Sequence, residues 1–448
     1  MQKYLLIFSL LISISCKAQP KQHGTNIIPR IPNLSDSALL ELVQKQTFKY
    51  FWDFAHPVSG MSRERSNEAY NYGAEVVTTG GTGFGVMAMI VAAERKWISR
   101  DTAAAHLLKV VNFLLKSDSY HGVFPHWMNG ATGKTIPFSR KDDGADLVET
   151  AYLFQGLICA RQYFTGNNRI EKELGNRINW LWNDIEWNWF TKNEEVLYWH
   201  WSPNNGWAMN FPIRGFNECL ITYILAASAK KYPVDSSVYH NGWAKSNFFK
   251  NGKAFYGYTL PLGFDYGGPL FFSHYSFLGL DPRGLTDTYA DYWKQNINHT
   301  LINYAYCVDN PKKFKGYSSD CWGLTAGDTY DGYNAYSPTN DAGTITPTAA
   351  LSAFPYTPGK SMKALRYFYY VLGDRIWTEY GFVDAFNETK NWYAKSHLAI
   401  DQGPIIVMIE NYRTGLLWKL FMSAPEIKNG LTKLGFKRVV TSVASVVN

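Results

Sequence analysis

Five carboxylates in this chain sit where two acids could act on one bond. Asp142, Asp146 and Glu149 lie in Ser-Arg-Lys-Asp-Asp-Gly-Ala-Asp-Leu-Val-Glu-Thr. Asp146 and Glu149 are three apart, so they share one face at the start of a helix expected over 145–164. Glu218 ends Arg214-Gly-Phe-Asn-Glu218, in the first turn or so of a helix expected over 214–230. Asp401 precedes a helix that opens at Gly403-Pro404, in the position of its cap. Hydrolysis of a glycosidic bond needs this set: one protonated carboxyl for the leaving oxygen and one ionised carboxylate to activate water or attack. A helix N-terminus favours the ionised form, which suits Asp401 as base. Nearby rings such as Phe216 and Trp207 raise a carboxyl pKa, which suits Glu218 as acid. Acids drawn from different helices fit an inverting gap of roughly 6.5–9.5 Å better than a retaining gap of about 5–5.5 Å. The Asp142, Asp146 and Glu149 cluster is left to bind the sugar, assist proton transfer or hold one of the two roles itself.

Other residues suit a sugar cleft. Trp127, Trp207 and Trp322 offer flat apolar faces, and His126, Arg140, Arg214 and Asn217 offer donors to hydroxyls. Thr79-Gly80-Gly81-Thr82-Gly83-Phe84-Gly85 has a phosphate-loop look, but no Lys-Ser/Thr follows it and no strand pattern precedes it. Its glycines point instead to a backbone lying close to a neighbour at the cleft end of a helix.

The elements that must position these groups are mainly helices. Periodic apolar faces recur over about 35–54, 82–96, 102–116, 145–164, 169–184, 214–230, 283–306, 347–354, 360–372 and 404–422, with a short helix after Pro425. Short connections (97–101, 165–168, 355–359) alternate with long ones (56–81, 117–144, 185–213, 249–282, 309–346, 373–403). Paired helices with every long connection at one end describe a ring of αα-hairpins, an all-α (α/α)6 barrel. The long connections carry the Gly, Trp, Tyr and Asn excess and are expected to wall a cleft.

Composition agrees. The 448 residues are 46% hydrophobic and 18% charged, which excludes a disordered chain, and 16% aromatic, more rings than a core needs. A net charge of +7 without a Lys/Arg stripe argues against nucleic acid as a partner. Residues 1–15 read as a signal peptide: Lys3, then an apolar run from Leu5 to Ile14 too short to span a bilayer. Ser13-Ile14-Ser15-Cys16 resembles a lipoprotein processing site, with Cys16 acylated, and residues 16–34 read as a tether ahead of a catalytic domain over 35–440. The expected product is an exported lipoprotein of the periplasm or outer membrane, a monomer that meets the membrane only through its lipid. Cys159 and Cys219 sit in apolar helical patterns, and Cys307 and Cys321 could pair across a loop. CxxC and HExxH are absent, so neither metal nor cofactor is expected. The acids Asp309, Asp320, Asp328 and Asp331 are the one stretch where a cation could still be held.

Asp-Gly-Ala-Asp-Leu-Val-Glu-Thr (143–150), Gly-Phe-Asn-Glu (215–218), Phe124-Pro125-His126-Trp127 and Ile400-Asp401-Gln402-Gly403-Pro404 occur in one order. Over about 36–435 the chain thereby resembles the glycoamylase-like glycoside hydrolase family that contains bacterial endo-β-1,2-glucanases. The resemblance implies an (α/α)6 barrel, inverting hydrolysis of β-1,2-glucan to sophorose-type oligosaccharides, and essential acids at Asp142, Asp146, Glu149, Glu218 and Asp401. Endo action is expected, with an exo-acting, sophorose-releasing enzyme as the alternative. A glycan-binding surface lipoprotein would use the rings without the acids, and Asp→Asn changes would leave it unharmed. A lyase on the same barrel would need a basic cleft and would make unsaturated products.

Overall fold

The computed structural model describes residues 26–67 and 74–438, and 46% of it is helical. Its helices are α1 (Asp36–Trp52), α2 (Thr79–Glu94), α3 (Arg100–Leu114), α4 (Leu147–Tyr163), α5 (Arg169–Asp184), α6 (Leu220–Ser228), α7 (Tyr292–Asp309), α8 (Pro347–Leu351), α9 (Pro358–Arg366), α10 (Gly373–Ile376), α11 (Ala399–Arg413), α12 (Leu416–Ser423) and α13 (Pro425–Lys433). Side-chain caps fix several starts. Ser35, Ser99, Asp146, Asn168 and Asp291 each accept a hydrogen bond from the first turn that follows, a contribution of about 0.5–2 kcal/mol apiece.

Two kinds of helix result. α2, α4 and α6 are apolar on nearly every face and buried, and α11 is buried down to its last turns. α3, α5 and α13 bury one stripe only. α2 packs between α4 and α11, α4 reaches α6, α1 covers α11, α3 pairs with α5, and α13 covers α6. Each buried helix follows a long connection, and a short turn leads from α2 to α3 and from α4 to α5.

The starts of the buried helices meet at one rim. A Cβ on Gly81 of α2 would stand 2.6 Å from Ala399 Cβ of α11. The Gly80 amide donates to Glu149 of α4 at 2.7 Å, and the Tyr152 hydroxyl of α4 donates to the Glu218 carbonyl at 3.4 Å. Below the rim, α2 and α4 cross in near backbone contact. A Cβ on Gly83 would lie 2.2 Å from the Tyr152 carbonyl oxygen, and one on Gly156 would lie 2.1 Å from that of Gly83. The glycine run expected to be a tight backbone approach is therefore the first two turns of α2.

Strands are short and, apart from Lys437–Arg438 after α13, lie in the connections. Val76–Thr78 pairs antiparallel with Trp127–Asn129 (Thr78 opposite Trp127), which pairs with Thr135–Ile136. Ala145–Asp146 pairs with His200–Trp201, and Ala326–Thr329 with Gly332–Ala335.

Several expected boundaries move. The sixth helix begins at Leu220, so Glu218 precedes it. α7 begins at Tyr292, where Asp291 caps it, and not near Arg283. α11 begins at Ala399, so Asp401 stands in its first turn and Pro404 lies inside it. Residues 26–34, expected to belong to a tether, are bonded to the folded domain. Arg30 Nη1 donates to the Tyr370 carbonyl at 2.6 Å, and the Ile31 and Leu34 amides donate to the Tyr369 and Tyr370 hydroxyls. These bonds tie residues 26–34 to the segment after α9. The signal peptide and Cys16 lie outside the described residues. Cys159, Cys219, Cys307 and Cys321 are buried free thiols. Among the described residues no helix is long and apolar enough to cross a membrane.

Candidate active site

Asp146 anchors the site. Its Oδ1 accepts from the Val148 and Glu149 amides (3.1 and 2.9 Å) and from Trp199 Nε1 (2.9 Å), and its Oδ2 meets His126 Nδ1 at 3.0 Å. The strand pair between 145–146 and 200–201 brings Trp199 and His200 to it. Burial alone would raise this carboxyl, but the hydrogen bond from His126 and the nearby His200 ring hold it below the ordinary range. Burial would likewise lower His126. Glu149, Asp146 and Asp142 outweigh it and push the ring up to about 9, so it is a cation at neutral pH. Asp146 is thus a fixed anion, its Oδ1 filled by three donors and its Oδ2 held to His126.

Its neighbours are less committed. Asp142 is buried, with Oδ2 3.4 Å from His200 Nδ1 and Oδ1 without a partner among the described residues. Glu149 accepts from the Gly80 amide through Oε2, and burial pushes it up to about 6. Glu218 Oε2 has no partner among the described residues, and burial pushes this carboxyl up to about 7. A buried carboxyl with an idle oxygen is suited to deliver a proton.

Asp401 belongs to a second acid group that sequence reading missed. It is buried, and among the described residues its oxygens meet no N–H or hydroxyl donor but only the Asp384 carboxyl, with which it shares a hydrogen bond, so it is not the helix cap expected of it. Burial first, and Asp384 next, hold it well above the usual carboxylate range. Asp384 is itself pushed up to about 7 by burial and then by Asp328. Two such carboxyls retain a proton between them. The Asp384 side chain accepts from the Asp328 amide at 2.6 Å. Arg65 is clamped between Glu64 (2.9 Å) and Asp328 (3.0 Å) and sets a positive charge behind the group.

A cavity of about 270 Å³ is lined by Glu64, Arg65, Thr78, His126, Trp127 and Tyr333 among others, and it meets the acid groups through His126, the partner of Asp146, and Arg65, the partner of Asp328. His126 and Trp127 therefore face the cleft as expected. Trp322 does not. It is fully buried in a core with Leu324 and Ala350, its Nε1 directed at the Lys360 carbonyl, because a large apolar ring serves a core as readily as a cleft. Trp207 is half-buried against Trp189 (4.8 Å) and Tyr198 (5.8 Å), so burial of Glu218 is what raises it. Asn217 is spent locally, its Oδ1 accepting from the Cys219 amide at 3.0 Å. Arg214 is exposed, with Nη1 3.4 Å from the Gly242 carbonyl, and Arg140 is exposed with its carbonyl held by Asn205.

His126, Asp142 and Asp146 bring ligand atoms within 4.8 Å of one another, a spacing that could hold a cation. The proton on His126 opposes one at neutral pH. The expected acidic stretch is dispersed: Asp328 takes Arg65, Asp309 takes the Tyr256 hydroxyl, Asp331 takes Thr329 and Asp320 takes Ser319.

A family model named Glycoamylase, described as "Putative glucoamylase", matches residues 210–425. A Bacteroides uniformis protein of that same description superposes with a TM-score of 0.89 at 62% identity, covering 91% of this chain and 99% of that one. An endo-β-1,2-glucanase from Chitinophaga pinensis, solved with sophorotriose and glucose, gives 0.88 at 54% identity over 90% of this chain and 99% of its own. An exo β-1,2-glucooligosaccharide sophorohydrolase (non-reducing end) from Parabacteroides distasonis is 44% identical over 423 residues, 90% of this chain. The chain spans 58% of that relative's length. At this identity and coverage, the chain belongs to the glycoamylase-like family of glycoside hydrolases.

Proposed function

We propose that this protein hydrolyses β-1,2-glucan with inversion, cutting within the chain to release sophorose-type oligosaccharides. The observation that carries the chemistry is the division of the acids: Asp146 is held as an anion by four donors, whereas Glu218 has an idle oxygen among the described residues and Asp401 is bound only to the Asp384 carboxyl. Glu218, neutral up to about pH 7, donates to the leaving oxygen. Asp401 takes the proton of the attacking water, directly or through a substrate hydroxyl, when the Asp384–Asp401 pair is singly ionised. Asp142, Asp146 and Glu149 orient the sugar and His126. The substrate is carried over from the Chitinophaga pinensis and Parabacteroides distasonis enzymes. Near-complete coverage of the endo enzyme, against 58% of the exo one, favours internal cleavage. Buried helices alternating with outer ones support an (α/α)6 barrel as the architecture.

Incubation with linear β-1,2-, β-1,3-, β-1,4- and α-1,4-glucans, with products sized over time, tests this reading. A ladder of β-1,2 oligosaccharides is expected early. A single disaccharide from the first minutes would establish exo action, and products only from another linkage would reject the substrate. NMR of the first product should show the α anomer; the β anomer would overturn inversion.

A further inference from the structure

Two aromatic rings stand in solvent beside Glu218 with no part in the chemistry above. Phe248 is 59% exposed and Phe264 is 42% exposed, with ring centroids 5.4 Å apart and planes inclined by 30°. Their place is fixed by the segment that carries the acid. A Cβ on Gly215 would lie 3.3 Å from Phe248 Cβ, and one on Gly263 would lie 3.4 Å from the Phe216 ring. Both contacts fall within three residues of Glu218.

The pair continues inward. Phe264 meets Phe272 at 6.3 Å, Phe272 meets Phe271 at 4.8 Å, and Phe271 stacks on Tyr275 at 5.0 Å. Tyr275 lies within the fields of Asp401 and Glu149, so this ladder of rings joins open solvent to the acids. The loop that presents Phe264 is rigid. Leu262 exchanges two hydrogen bonds with the Gln295 side chain (2.9 and 3.2 Å), and Asn251 Nδ2 donates to the Gly263 carbonyl at 3.0 Å. Lys253 and Asn251 also converge at 2.9 and 3.1 Å on Asp265, the residue that follows Phe264, so polar groups adjoin this ring in the loop. A preformed apolar face with a polar edge matches a pyranose, whose C–H face is apolar and whose hydroxyls lie at its rim.

We propose that Phe248 and Phe264 form a platform for the leaving-group end of the glucan, beyond the bond that Glu218 protonates. This rests on Glu218 as proton donor and on β-1,2-glucan as substrate. The test uses the full chain carrying Phe248→Ala and Phe264→Ala together, assayed on linear β-1,2-glucan and on oligosaccharides tagged at the reducing end. KM for the polymer should rise roughly tenfold while kcat changes less than twofold. The tagged fragment released first should become shorter, because fewer units are held past the scission point. Phe264→Trp, which keeps a ring, should restore KM to within about twofold of the parent. Unchanged KM and unchanged cleavage position in the double variant overturn the platform. Both rings are exposed, and if the double variant nevertheless melts early, Phe248→Ser alone carries the same test at roughly threefold in KM. A parent enzyme that leaves β-1,2-glucan intact rejects the substrate reading. An active parent with an indifferent double variant rejects the platform alone.

Discussion

Replacing Glu218 by Gln should damage catalysis and strengthen the fold in one step, and both effects are set by burial. The carboxyl is raised from 4.5 to about 7 by loss of hydration. At 1.36 kcal/mol per unit that shift is worth ~3.4 kcal/mol, and solvent reaching the half-buried side chain brings it to about 1–2 kcal/mol. The unfolded chain gives up this proton near pH 4.5 and the folded one near pH 7. Between those values the folded state binds more protons, so stability falls as pH rises and the deficit is constant above pH 7. Gln carries no such charge. The variant should match the parent in Tm near pH 4.5 and exceed it by about 1–2 °C at pH 8, measured by scanning calorimetry across that range. Parent turnover should follow the protonated fraction, falling to about one-tenth from its plateau by pH 8, and the variant should lose at least about a hundredfold at pH 6. A Gln variant that melts lower than the parent at pH 8, or that keeps its activity, would refute the assignment of a buried neutral acid. If it stays active while Asp142→Asn or Glu149→Gln is dead, the donor lies in the Asp146 cluster and hydrolysis itself still stands.

Other perturbations separate reacting groups from supports. Asp401→Asn should also cost at least about a hundredfold in kcat, with an unchanged circular dichroism spectrum. Asp146→Ala should instead lower stability by about 2–4 kcal/mol, because it removes the α4 cap and strands the Trp199 and His126 donors, read as a shift in urea midpoint. Cys16→Ala should release the protein from membranes or block its processing, and full retention in the membrane fraction would end the lipoprotein proposal. Chelator and reductant should leave Tm and activity nearly intact, and a large loss with chelator would place a cation among His126, Asp142 and Asp146.

What could be read in advance was what local pattern records. The three-residue spacing of Asp146 and Glu149 and the alternation of long and short connections are written along the chain. Asp384, Arg65 and His200 were missed for the opposite reason. Their partners are distant in sequence, as where the Asp384 side chain meets the Asp328 amide and Arg65 meets Asp328, and they come from loops whose course no periodicity describes. Asp401 misled because Pro404 looked like a first helical residue, whereas the helix starts at Ala399 and carries the proline inside. Trp322 misled because composition cannot tell a ring under a helix from a ring beside a sugar. The aromatic excess of the long connections proved divided, with Trp322 and Trp377 in a core and Trp127 at the cavity.

The crossing of α2 over α4 bears on how such a protein can change. With the two backbones about 2 Å from where a Cβ would be, at Gly83 and again at Gly156, not even a methyl group fits between them. Glu149 is held to α2 through Gly80 just above that point. Any insertion at the crossing would lift Glu149 off its amide, so the place of this carboxyl against α2 cannot drift by small steps. Variation is left to the connections that rise around the mouth. Lineages built on this frame would then diverge in what those connections admit, while the seat of Glu149 on α2 stays the same.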